Sequence, residues 1–136
     1  MYLVYQPEGQ AEPTRWRYNP RKLMSVERED IERRTGKNFS EFTTAVLQGN
    51  SLCRRALLYT FLRREHTRTR FDDVDFAWDE LRLEYSRQEL MEMREKVAAS
   101  THGAERAAAL EALDKDIEDA FDDTADEGKA GLPIAD

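Results

Sequence analysis

Residues 51–65, SLCRRALLYTFLRRE, set the tightest limit on what this chain can fold into. Read at about 100° per residue, Leu52, Cys53, Ala56, Leu57, Leu58, Tyr59, Phe61 and Leu62 cover most of a helix circumference. Only narrow gaps at Arg54, Arg55, Thr60, Arg63 and Arg64 are polar. A surface helix needs one apolar stripe, so a helix apolar on most sides is predicted to be central and covered from several directions. Ser51 is placed to cap its start, and Arg63 and Arg64 put positive charge at the negative end of the helix dipole. Its residues offer no reactive grouping, which points to a protein that works by presenting surfaces.

The prolines stand at 7, 13, 20 and 133, so the stretch from Arg21 to Leu132 holds none of them and permits long helices. At 136 residues the expectation is one domain's worth of core plus a tail. Cys53 is the only cysteine, and there is no apolar run of about 18 residues and no signal-peptide pattern. A soluble, intracellular protein that binds no membrane is therefore expected. The net charge of −7 conceals a division. Residues 1–70 carry 14 Lys/Arg against 8 Asp/Glu, whereas residues 71–136 carry 7 against 20. A basic half can meet nucleic acid, its own acidic half or an acidic partner; solvated faces and mutual steering of the halves are favoured over nucleic acid.

Tyr2-Leu3-Val4-Tyr5-Gln6 and Thr14-Arg15-Trp16-Arg17-Tyr18 are rich in β-formers and flank a Pro/Gly-containing loop, which predicts a small hairpin. Strand is expected only in these first twenty residues. Ser25 to Gly36 has the marks of a short, mostly exposed helix anchored by Leu23, Val26 and Ile31. Ser40 is expected to cap the next helix, with Phe42, Ala45, Val46 and Leu47 facing inward and Gly49-Asn50 ending it. A long helix is predicted from Asp72 or Asp79 to Ser100, Trp78, Leu81 and Tyr85 belonging to the core and Leu83, Leu90, Met93 and Val97 to a different side. A last helix from Ala104 to Phe121 lines up Leu110, Leu113, Ile117 and Phe121 in a narrow, coiled-coil-like seam. The seam against Leu90, Met93 and Val97 makes a helical hairpin that is also open to a partner helix. The acidic, Gly/Pro-punctuated end cannot offset its ordering entropy and is expected to be disordered. The reading is a mainly α chain in three parts: hairpin plus helical core over 1–78, helical hairpin over 79–121, and acidic tail over 122–136.

No catalytic, cofactor-binding or metal-binding residues are assigned. His66 and His102 both fall in predicted connections, with Cys53 the only thiol, and no zinc spacing follows. The six glycines form neither a dinucleotide fingerprint nor a P-loop. Asp72, Asp73 and Asp75 imitate the start of a calcium loop, but Ala77 and Leu83 stand where its glycine and glutamate belong. An enzyme is not expected.

The ordered series Trp16-Arg17-Tyr18, Glu29 to Gly36 (EDIERRTG), Phe42 to Gly49, Arg55 to Arg64 (RALLYTFLRR) and Phe71 to Phe76 (FDDVDF) resembles the tail assembly chaperones of long-tailed bacteriophages. In that family an aromatic strand precedes an E-x-x-x-IE-x-x-TG helix, an LL-x-x-x-LRR helix and an F-x-DV segment. The resemblance spans roughly residues 14–78; Tyr59 stands where a tryptophan is more typical. It implies a non-enzymatic helper in the host cytoplasm, absent from the mature virion. Such a helper binds the helical tape measure protein, keeps it soluble and helps recruit tail tube protein. Self-association is also open, and a longer frameshifted product is common in the family. The partner-binding candidates are Leu90, Met93, Val97, Leu110, Leu113 and Ile117. The competing readings are a small nucleic-acid-binding or regulatory protein using Arg15, Arg17, Arg54, Arg55, Arg63, Arg64, Arg68 and Arg70, and a structural virion protein such as a head–tail connector.

Overall fold

A computed structural model of the chain describes residues 1–123, so most of the expected tail, 124–136, lies outside the described residues. The chain is mainly α, with a small three-stranded antiparallel sheet. Two compact units are distinguished, residues 2–83 and the residues from Glu84 onward, the latter with Met1.

In the first unit, β1 (Tyr2–Tyr5) pairs antiparallel with β2 (Thr14–Arg17), Leu3 opposite Trp16 and Val4 opposite Arg15. The hairpin is as expected from its β-formers. Its confinement of strand to the first twenty residues is not, because β3 (Leu81–Glu84) lies on the other side of β1. Central position explains why Leu3 and Val4 are wholly buried.

Three helices complete this unit: α1 (Ser25–Thr35), α2 (Phe39–Leu47) and α3 (Ser51–Glu65). Each serine at a predicted helix start lies past the actual cap, Ser25 and Ser51 by one residue and Ser40 by two. Asn50, ahead of Ser51, accepts from the Cys53 N–H at 3.0 Å, while Ser25 and Ser40 are already helical. At α1 the Glu27 carboxylate reaches back to the Met24 N–H at 2.9 Å, and the helix stops at Gly36, whose φ of 69° suits glycine. Ile31 and Leu23 are buried as expected, but Val26 is exposed; on α2, Phe42, Ala45 and Val46 face inward and Leu47 does not.

The prediction for α3 is met. Cys53, Ala56, Leu57, Leu58, Tyr59 and Phe61 are buried, and its start at Leu52 is exposed. Trp16 stacks on Phe61 with ring centroids 5.7 Å apart, and Tyr18 meets the same ring edge-on at 6.5 Å. Phe71 meets Tyr59 edge-on at 5.5 Å. The polar gaps are bound to the chain's own groups: Thr60 donates to the Ala56 carbonyl (2.8 Å), Arg54 to that of Val46 (2.9 Å), and Arg55 to those of Val74 (2.6 Å) and Phe71 (2.8 Å). Burial of the Tyr18 hydroxyl, which has no hydrogen-bond partner among the described residues, pushes its pKa up to about 12.

The long helix expected from Asp72 or Asp79 is not formed before Arg87. Phe71–Asp73 and Trp78–Glu80 are single 3₁₀ turns, and Leu81-Arg82-Leu83-Glu84 is strand. Two constraints override the helical pattern. Arg55 holds the Phe71 and Val74 carbonyls that a helix would use, and the Gln6 N–H donates to the Glu80 carbonyl at 2.8 Å, starting the β1–β3 pairing. Leu81 joins the core as expected. Trp78, expected there too, is 68% exposed, and Tyr85 is 39% exposed. The Trp78 indole lies over Gly49, where a Cβ would stand 2.8 Å from its Cη2, and the Arg54 guanidinium lies 5.3 Å from the ring centroid.

Leu57→Asp is expected to lower stability by several kcal/mol, because it leaves an unpaired charge in a wholly buried site; an unchanged melting temperature would show that α3 is not central. Gly49 has φ of 87°, so Gly49→Ala should cost about 1–2 kcal/mol from backbone strain. The added methyl should also displace Trp78, visible as a change in its fluorescence. Arg64 donates to both oxygens of Glu27, and this hydrogen bonding holds the carboxyl below its ordinary pKa. Its contribution is complete above the unfolded glutamate pKa and is lost as pH falls through the lowered, folded value. The stability gap between the parent and Glu27→Gln should therefore narrow in acid titration and stay constant near neutrality.

Candidate partner-binding surface

The six candidate residues fall on two helices of the second unit, α4 (Arg87–Ser100) and α5 (Gly103–Asp119), which pack against each other as a hairpin. The sequence places the end of α4 and the span of α5 to within two residues, but not the start of α4, which lies at Arg87. Ser86 accepts from the Glu89 N–H at 3.2 Å while the Glu89 carboxylate accepts from the Ser86 N–H at 2.9 Å, a reciprocal cap at the head of α4. At the turn, Thr101 closes on the Val97 carbonyl, and Gly103 adopts φ of 69°.

Leu90 is buried, at 7% exposure; Met93 and Val97 on α4 and Leu110, Leu113 and Ile117 on α5 are only half-buried. Two helices have one mutual interface, so part of each apolar seam stays in contact with water. Arg94 on α4 and Asp114 on α5 are bridged at 2.6 Å, which fixes the register of the pair, although an exposed bridge contributes little to stability. Leu83, grouped with this seam by helical periodicity, belongs instead to β3.

The structure adds residues that sequence reading missed. Arg87 closes the open end of the hairpin: its backbone N–H donates to the Phe121 carbonyl (2.7 Å), and its guanidinium donates to the carbonyls of Ile117 (3.3 Å) and Ala120 (3.1 Å). The Ile117 carbonyl also accepts from the Ala120 N–H, and the Ala120 and Phe121 carbonyls lie just past the last turn of α5. Gln88 donates to the Asp122 carboxylate (2.5 Å) and accepts from the Asp123 N–H (3.1 Å). Asp122 and Asp123, assigned to the tail from sequence, are therefore tied to the hairpin, and Asp123 is buried. Beside this clamp is a groove of about 280 Å³ lined by Tyr85, Leu90, Ala120 and Phe121, with Glu84, Asp116 and Asp119 at its rim. One signal for it was present in the sequence: α5 ends in Asp116, Glu118 and Asp119 with no base in its last turn, the reverse of α1 and α3.

Comparison with family models, with curated proteins and with solved structures finds no match to the chain. The functional reading rests on the residues themselves. Among the described residues no helix is long and apolar enough to cross a membrane, and no group of three or more His, Cys, Asp or Glu is gathered as for a metal ion. Cys53 is buried, and desolvation raises its thiol pKa, which disfavours the thiolate. Several arginines of the basic half are committed to their own unit. Arg54 and Arg55 hold backbone carbonyls, Arg64 holds Glu27, and Arg17 donates to the Tyr2 hydroxyl at 2.9 Å.

Arg87→Ala should leave the carbonyls of Ile117 and Ala120 without their charged donor and cost about 1–2 kcal/mol. Hydrogen exchange should localise the effect, with amides over 118–123 exchanging faster and those of α3 unchanged. Uniform loss of protection along the chain would show that the clamp is not local.

Proposed function

We propose that this chain is a non-enzymatic chaperone of phage tail assembly that binds apolar helical segments of a tape measure protein on its α4–α5 hairpin. It keeps that client soluble in the host cytoplasm, helps recruit tail tube protein, and leaves before the virion is complete. The observation that carries the reading is the half-buried seam Met93, Val97, Leu110, Leu113 and Ile117, which a third helix fits better than water does. The ordered resemblance over residues 14–78 supports the family, and the family supplies the client. The engagement of Arg54, Arg55 and Arg64 by the chain's own carbonyls and carboxylates weighs against a phosphate-binding reading.

Co-expression should raise the soluble fraction of the tape measure protein encoded nearby, and Leu113→Lys with Ile117→Lys should abolish that rescue. Because these residues also hold the hairpin, helicity and melting must be followed in the same variants. Unchanged folding with undiminished rescue rejects the seam as the binding surface. Failure of the parent chain to keep the tape measure protein soluble rejects the function.

A further inference from the structure

The rim of the groove at the end of the hairpin has a charge pattern that is unfavourable within α5 itself. Negative side chains at a helix C-terminus oppose the dipole, yet α5 finishes with Asp116, Glu118 and Asp119 and no base. Asp116 and Asp119 form no ion pair among the described residues, and both are exposed. They sit at i and i+3 with Ala120 at i+4, so all three share one flank of α5 beside the seam. Further up that flank are Ala109 and Ala112, small enough to let another helix approach closely. The apolar floor is made by Tyr85, Leu90, Ala120 and Phe121. Residues 84–123 carry 12 Asp/Glu against 5 Lys/Arg, and of those five Arg87 and Arg94 already hold partners within the hairpin.

We propose that this groove takes a large apolar side chain from a partner helix that carries lysine or arginine within a turn on either side of it. This rests on reading the hairpin as the client-binding element and names the chemistry of the segment it selects: amphipathic, helical and basic. Charge complementarity decides among occupants. The chain's own residues 124–136 carry Asp126, Glu127 and Asp136 against Lys129, and the α4–α5 hairpin of a second copy brings the same acidic surface, so neither complements the rim. A basic helix relieves the mutual repulsion of Asp116 and Asp119 and is steered toward them.

The test titrates the full chain with synthetic helical peptides of one length and one apolar stripe, whose flanking positions are all lysine, all glutamine or all glutamate. Affinity should fall in that order, and the advantage of the lysine peptide should shrink at high salt. Asp116→Asn with Asp119→Asn should weaken the lysine peptide about three- to tenfold and leave the glutamine peptide unchanged. These positions are exposed and unpaired, and their neutralisation suits the helix dipole, so the variant should fold at least as well as the parent. Tyr85→Ala should weaken every peptide. Equal binding of the peptides, or an unaffected double variant, overturns the proposal. So does displacement of the lysine peptide by a peptide of residues 124–136, which assigns the groove to the chain's own end, or a dimer strengthened by the double variant, which assigns it to a second copy. Charge-blind peptide binding with tape measure rescue intact removes only this inference. Charge-ordered binding without rescue leaves the groove's chemistry standing and removes the chaperone reading.

Discussion

A helix that is apolar on most sides must be covered on most sides, and the first unit is arranged to meet that demand from α3. Strand β2 and the residue after it supply Trp16 and Tyr18 against Phe61, and the segment after α3 returns Phe71 to Tyr59. The difficulty is not the apolar residues but the arginines between them. A guanidinium under a covering layer loses its water and must regain its hydrogen bonds from protein. Each covering segment offers what is required. The end of α2 presents the Val46 carbonyl to Arg54, and the turn at Phe71 presents two carbonyls to Arg55. The long apolar stems pack on the core while the heads reach these acceptors, so the same residues fasten the covering layers to the helix.

Aromatic faces extend this fastening. The Arg34 guanidinium lies 4.7 Å from the ring centroids of both Tyr59 and Phe71, and that of Arg55 lies 4.1 Å from the Phe71 ring. Arg34 also pairs with Asp30 one helical turn earlier at 2.9 Å. Cation–π contacts are worth more where water is excluded, and here they bind a segment with little regular structure to the side of a helix. Part of the positive charge in residues 1–70 is thus spent on holding the fold together.

The elements legible in sequence were the β-hairpin, α1 to α3, the end of α4 and the whole of α5. What misled was residues 71–86. Trp78, Leu81 and Tyr85 have helical spacing, but Leu81-Arg82-Leu83-Glu84 also alternates with period two, and periodicity over so few residues cannot separate the two. The decision is made by tertiary partners, Arg55 on one side and the edge of β1 on the other, and neither is visible locally. The capping errors have a simpler cause. Asn50 and Ser51 are both good caps, and the chain uses the earlier one because its side chain reaches the Cys53 N–H. The seam was found because leucine, isoleucine and valine repeat along a helix. The groove was missed because Tyr85 precedes α4 and Phe121 follows α5, so no periodicity joins them.

The hairpin itself is matched across its helices more than within them. Arg87 opens α4 with a positive charge at the positive end of that helix's dipole, and Asp116, Glu118 and Asp119 close α5 with negative charge at its negative end. Each helix alone carries this unfavourable term. In an antiparallel pair the start of α4 lies beside the end of α5, and the Arg87 guanidinium reaches the Ile117 and Ala120 carbonyls. The two penalties then become one attraction that favours the antiparallel arrangement over separate helices. The match is unequal, however, since the Arg87 guanidinium is engaged by the Ile117 and Ala120 carbonyls while Asp116 and Asp119 line the groove without an ion pair among the described residues. The surplus negative charge stays on the flank beside Tyr85 and Leu90, where neutralising it requires a positive group from outside the hairpin.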